Sequence, residues 1–222
     1  MSATQSLTPS RSDATRAALV AAALDLFGAK GFEATSTREI GASAGANIAA
    51  IAYHFGGKEG LRLACADFVA ATVGQIFADL ACDVPDPREL APDEARSALI
   101  RFAEALVEAI VVRDEGRRLA RFVLREMLEP SEAFDRLYQT FGPIHARACA
   151  FWGRAAGAEA ESEATRLSVF AAIGQIVYFR IARPAVLRRM GWREIGADEG
   201  AAIKRLVADN LAAGLELAGS RP

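Results

Sequence analysis

At 222 residues, 52% of them hydrophobic, the chain is long enough to bury one sizeable core or two small ones, and its formal charge of −2 excludes a globally basic surface. Three widely spaced cysteines, Cys65, Cys82 and Cys149, show no C-x-x-C pattern, which excludes a disulfide framework and predicts reduced thiols. The N-terminus lacks an apolar h-region and no run approaches about 18 uncharged apolar residues, so neither a signal peptide nor a membrane span is expected, and a cytoplasmic protein is.

Residues 1–11 are Ser/Thr-rich without periodicity and read as a flexible arm. Ser12 is the expected N-cap of a first helix to about Lys30, with Ala17, Val20, Leu24 and Phe27 forming an apolar stripe. Gly31 stands where a helix takes a left-handed terminator. Ser36 and Glu39 have capping-box spacing, so a second helix starts there, and Gly45 ends it after about eight residues. Asn47 is the expected cap of a third short helix, I-A-A-I-A-Y-H-F, closed by Gly56-Gly57. Two short helices joined by about three residues cross steeply, as in a helix-turn-helix.

A longer helix is expected from Lys58 to about Leu80, with Leu61, Cys65, Phe68, Thr72 and Ile76 at helical spacing, followed by a Pro/Asp loop, D-V-P-D-P-R-E-L-A-P-D. Further helices are expected at about 93–112, 115–128, 131–156, 162–182 and 199–218. Pro130 and Pro184 fit helix ends, and Pro143 kinks one. No strand-like alternation appears, so the expected fold is all-α with about nine helices.

Enzyme and metal readings find no constellation. His54 and His145 are the two histidines, with no H-E-x-x-H and no zinc spacing, so no metal site, cofactor or catalytic residue is expected. The G-G-K at 56–58 is not a phosphate loop, because Ala52 stands where the first glycine belongs, Glu59 follows the lysine and no strand precedes. No G-x-S-x-G elbow exists.

The third helix suits nucleic acid better. Ile48, Ile51 and Phe55 share one face and would anchor it against Ile40 and the first helix. Asn47, Ala49, Ala50, Ala52 and Tyr53 lie opposite, and alanines let a helix sink into the major groove. Periodicity alone leaves the alternative open that the alanines merely favour helix and the asparagine merely caps. Residues 1–65 carry six Lys/Arg against five Asp/Glu, a local +1 that decides nothing.

The span from about Thr15 to Cys65, with A-L-x-L-F-x-x-K-G-F-E-A-T-S-T-R-E-I-x-x-x-A-G and then N-x-A-A-I-x-Y-H-F-G-G-K-E-G-L, resembles the DNA-binding domain of the TetR family of bacterial repressors. The resemblance implies an all-helical homodimer with a DNA-binding domain at 12–60 and a ligand-binding and dimerisation domain at 61–222. It implies a phosphate contact at Thr37, with Arg38 a further candidate. Asn47, Ile48 and Ala49 would meet phosphates and base edges, Tyr53 and His54 would grip the backbone, and Lys58 would contact phosphate. Ala52 departs from the aromatic that many members carry there.

In the C-terminal part, Leu167, Phe170, Ala171, Gly174, Tyr178 and Ile181 form one apolar stripe. Ile203, Leu206, Val207, Asn210, Leu211, Gly214 and Leu215 form another. Periodicity alone leaves open that both stripes are core of one subunit; the resemblance implies that both pair with a twin, which predicts a palindromic double-stranded operator. R-E-M-L-E-P-S-E-A-F-D and A-R-P-A-V-L-R-R-M-G-W resemble a C-terminal subgroup of the family. A small-molecule effector is implied, with Phe122, Arg125, Phe134, Tyr138, Phe141 and Trp152 the expected lining. The expected function is a ligand-responsive transcriptional regulator, a repressor released by an inducer. The alternative is a helical small-molecule-binding protein or enzyme that has lost DNA binding.

Overall fold

The computed structural model describes residues 10–82 and 84–220, and within them ten α-helices and no strand. Residues 1–9, most of the expected arm, lie outside the described residues. The helices are α1 (Arg11–Lys30), α2 (Thr37–Ala44), α3 (Ala49–Phe55), α4 (Lys58–Ala81), α5 (Pro92–Leu106), α6 (Asp114–Leu128), α7 (Glu132–Ala156), α8 (Glu163–Ile181), α9 (Arg183–Met190) and α10 (Ala197–Gly219). A 3-10 turn (Pro87–Glu89) precedes α5, and a π-helical segment (Val107–Val112) follows it.

Local chemistry sets the boundaries. Ser10, not Ser12, caps α1, because Asp13 stands at the third helical position and completes a reciprocal box. Ser36 and Glu39 close the expected box on α2. α5 begins on Pro92, whose missing N–H costs nothing in a first turn, while the Ala91 N–H donates to the Glu94 carboxylate at 2.7 Å. The tenth helix, α9, is one more than expected. Pro184 opens it and Gly191, in the left-handed region, ends it, so this proline starts a helix rather than merely following one. Pro143 lies inside α7, as expected.

The chain divides into two compact units. One comprises residues 1–72 and 121–137, the other 73–120 and 138–222. In the first, Leu19, Val20, Leu24 and Phe27 of α1 are buried, as are Ile40, Ile51, Leu61, Cys65, Val69, Phe122 and Leu137. Ala17 is exposed rather than part of this core. On α4 the buried row runs Leu61, Ala64, Cys65 and Val69, whereas Phe68 is half exposed, because the core lies one residue further round the helix than the expected stripe.

In the second unit, Leu99, Val107, Val111, Trp152, Val169 and Ile176 meet Ile203, Val207, Leu211 and Leu215 of α10. These four α10 residues, expected on an intersubunit stripe, therefore belong to the subunit's own core. Leu167, Phe170, Tyr178 and Ile181 of α8 are exposed.

By length and composition alone α4 is long and apolar enough to cross a membrane, contrary to expectation. Leu61, Cys65 and Val69 pack in a protein core, and Asp67 holds Arg136 at 2.8 Å, as in an amphipathic helix of a folded domain.

Candidate nucleic-acid interface

The first unit presents α2 and α3 on α1. Thr35, buried in the turn between α1 and α2, donates its hydroxyl to the Gly31 carbonyl at 2.7 Å. Lys30 at the end of α1 pairs with Glu39 of α2. That ion pair and the bonds from Ser36 hold the Glu39 carboxyl down at about 2, well below its ordinary 4.5. Gly45, in the left-handed region at φ 62°, lets the chain reverse after α2. Asn47 accepts the Ala49 N–H on its side-chain oxygen at 2.9 Å, but Ile48, not Asn47, occupies the cap position of α3 and carries no side-chain cap, so the helix starts one residue later than expected.

α3 is held by a single fully buried residue, Ile51. Phe55 is half buried, with the Arg16 guanidinium 5.4 Å from its ring. Ile48, expected among the anchors, is 44% exposed. It therefore lies on the free surface with Asn47, Ala49 and Ala52. Among the described residues Tyr53 is the most exposed large apolar side chain at 83%, and its ring meets that of His54 edge-on at 4.9 Å. Thr37 and Arg38 form the first turn of α2, Thr37 half buried and Arg38 exposed.

α4 restarts at Lys58 after Gly56-Gly57. Lys58 Nζ sits 4.1 Å from the Phe32 ring centroid, and the Arg62 guanidinium lies 4.6 Å from the same ring. Arg62 also donates Nε and Nη2 to Glu126 at 2.8 and 2.9 Å, and Ser131 donates to the same carboxylate at 2.8 Å. Lys58 thus projects from a helix end fixed by a buried ion pair. Gly60 lets that end approach α3, since a Cβ there would fall on the Phe55 carbonyl oxygen. Sequence reasoning missed Arg16, Phe32, Arg62, Glu126 and Gly60. The glycine is the one with a signal, standing within the G-G-K-E-G run beside two others.

The residues expected to line an effector site divide between the units. Phe122, Arg125 and Phe134 belong to the first, where Phe122 is fully buried and Arg125 donates to the Ala29 carbonyl at 3.3 Å. Tyr138, Phe141 and Trp152 belong to the second. Trp152 is core and borders a cleft of about 370 Å³ between α8 and α10. Tyr138 borders another, of about 460 Å³, with His145, Arg166 and Phe170. Among the described residues no group of three or more His, Cys, Asp or Glu could hold a metal.

A short helix anchored by one isoleucine, slim and exposed elsewhere, set after a capped partner helix by a left-handed glycine, defines a helix-turn-helix protein. Residues 19–65 match the family model of tetR-type bacterial regulatory proteins. Residues 95–217 match that of the C-terminal domain of the HTH-type transcriptional dual regulator CecR. CecR of Shigella flexneri is 35% identical over 196 residues, covering 85% of this chain and 86% of that protein. The regulatory protein RaaS of Mycobacterium tuberculosis is 33% identical over 117 residues, 51% of each chain.

Among solved structures, PfmR of Thermus thermophilus, a TetR family regulator, superposes with a TM-score of 0.62 at 20% identity, covering 95% of this chain and 97% of that one. The hemolysin II regulator HlyIIR gives 0.57 at 16%, covering 89% and 99%. At these identities the structures speak to the fold. The chain belongs to the TetR family of bacterial transcriptional regulators, with a C-terminal domain of the CecR type. It is a DNA-binding regulator and not an enzyme.

Proposed function

We propose that the chain is a homodimeric repressor that binds a palindromic operator in the cytoplasm and is released by a small-molecule inducer. The DNA-binding domain is assigned to residues 12–60, and ligand binding and dimerisation to 61–222. Asn47, Ile48 and Ala49 meet the groove, while Thr37, Arg38, Tyr53, His54 and Lys58 hold phosphates. The observation that carries this reading is α3 itself, with Ile51 buried and Ile48, Ala49, Ala52 and Tyr53 left on its free surface. A slim helix face admits close approach to base edges and thymine methyls.

The inducer acts by binding the form that cannot span both half-sites. Moving a 1:99 balance to 99:1 takes about 5.5 kcal/mol of differential affinity. α4, α6 and α7 each contribute residues to both units. The lining assigned to Phe122, Arg125, Phe134, Tyr138, Phe141 and Trp152 is the effector half of the proposal. CecR of Shigella flexneri is called a dual regulator, so the sign of regulation is measured by transcription from the recovered operator. Selection of bound duplexes from a random pool tests the whole: a recovered palindrome supports it, and retention of no duplex overturns it.

A further inference from the structure

Of the three lysines in the chain, two end on carboxylates, Lys30 on Glu39 and Lys204 on Glu108. Lys58 pairs with no carboxylate among the described residues and ends on a ring, its Nζ 4.1 Å from the Phe32 centroid. The difference matters at a phosphate. A carboxylate partner cancels the ammonium charge and occupies its N–H groups, so a phosphate has to displace it. A ring face attracts the cation through its quadrupole but carries no net charge. It meets the ammonium from one side, leaving the remaining N–H groups to donate elsewhere.

Phe32 is itself held in place. Gly31, at φ 84°, ends α1 and turns the chain, and the Phe32 carbonyl accepts the Thr35 N–H at 3.1 Å. The half-buried Phe32 ring lies 5.4 Å from that of Phe27, which is 2% exposed, so it stands on the core of its unit. The Arg62 guanidinium shares the ring at 4.6 Å, but Glu126 balances its charge. Lys58 is therefore the uncompensated one of the two cations on this ring.

The backbone does not fix Lys58 in the same way. Gly56 and Gly57 precede it at φ 74° and 140°. The Gly57 carbonyl accepts the Leu61 N–H at 3.1 Å, yet a glycine has no side chain with which to tie the first turn. As the first residue of α4, Lys58 also stands at the positive end of the helix dipole, which repels its ammonium. A lysine left to rotate there would lose its rotamer freedom only on meeting a phosphate, at a cost to affinity. The ring removes that freedom beforehand.

We propose that Phe32 is a positioning residue for DNA binding, whose ring face holds the Lys58 ammonium charged and ready to donate to a backbone phosphate. The proposal rests on the phosphate contact assigned to Lys58 above and adds the group that prearranges it.

The test places 4-fluoro-, 3,5-difluoro- or 3,4,5-trifluorophenylalanine at position 32 of the full chain. These rings nearly keep the shape that packs on Phe27, while fluorine withdraws negative charge from their faces. Each is made with Lys58 and with Lys58→Ala, and affinity is measured for the duplex recovered by selection and for a mixed-sequence duplex of equal length. With Lys58 present, affinity for both duplexes should fall step by step with each added fluorine. The trifluoro ring should cost about two- to fivefold per Lys58, or about five- to thirtyfold for a dimer on two half-sites. With Lys58→Ala, fluorination should change nothing.

If Lys58→Ala leaves binding unchanged beside the native ring, the phosphate contact fails and the proposal falls with it. If Lys58→Ala weakens binding but fluorination costs nothing, the contact stands and the positioning role is overturned. A fluorination cost of equal size in both backgrounds also overturns it, since the ring would then act through the fold or through Arg62.

Discussion

Arg62 and Glu126, 64 residues apart in sequence, form a two-pronged ion pair in which the carboxylate is 3% exposed. Ser131, which accepts the Ala133 N–H at the start of α7, donates to the same carboxylate. One buried group thereby ties α4, α6 and the start of α7. Arg62→Ala would leave a buried charge with one hydroxyl, and is expected to cost about 3–5 kcal/mol in chemical denaturation. Arg62→Met with Glu126→Leu should recover most of that loss. If it does not, the pair stabilises through more than mutual compensation.

Lys58 extends from this fixed helix end over Phe32. Lys58→Ala is expected to weaken binding to all duplexes alike and to lower the slope of log affinity against log salt by about one. An unchanged slope in a salt titration would remove Lys58 from the phosphate contacts.

Gly60→Ala would drive a methyl into the Phe55 carbonyl oxygen, which is backbone and cannot swing aside. The expected result is a loss of about 1–3 kcal/mol, read by thermal unfolding. Operator affinity should fall too, because α3 must move off α4. A variant that binds as tightly as the parent would show that the close approach is dispensable.

Glu39 sets an acid limit on the α1–α2 junction. Its folded pKa of about 2 lies below the ordinary 4.5, chiefly through Lys30 and then Ser36. A depressed carboxylate stabilises the fold above its unfolded value, and that contribution fades as pH falls from about 4.5 towards 2. Urea midpoints of the parent should exceed those of Glu39→Gln at pH 7 and converge with them near pH 2. Added salt should narrow the gap at pH 7, since the pair is exposed.

The thiols should differ in reactivity. Burial pushes the Cys65 thiol far up, and burial with the nearby Glu161 charge pushes Cys149 to about 11, whereas Cys82 is exposed. Iodoacetamide at pH 8 is expected to alkylate Cys82 alone in the native protein and all three in urea, as read by intact mass.

Much of the first unit was legible because its signals are local. The Ser36–Glu39 box, Gly45 and Gly56 each act within a few residues and stand where the sequence places them, while the cap of α3 falls on Ile48, one residue past Asn47. The start of α1 was misplaced by two residues although S-R-S-D at 10–13 carries the same box signal. α9 had its marks as well, Pro184 and Gly191, but a helix of eight residues is too short for periodicity to show.

Which of two equally spaced residues turns inward was not legible. Phe68 and Val69 both follow Cys65 at helical spacing, and only the packing of α4 on its unit buries Val69 and exposes Phe68. The two C-terminal stripes look alike in sequence. Yet the α10 row Ile203, Val207, Leu211 and Leu215 fills the subunit's own core, while the α8 row stays outside. The Arg62–Glu126 pair has no sequence signal, since nothing local distinguishes a glutamate that will be buried from one that will be solvated.

The sequence by itself thus determined the helical class, the helix-turn-helix and the family, because caps, glycine stops and apolar periods depend on near neighbours along the chain. Tertiary structure alone decided what holds the helices together and which faces are left over. Burial depends on partners far away in sequence, and a helix of any period offers several faces from which only packing selects one.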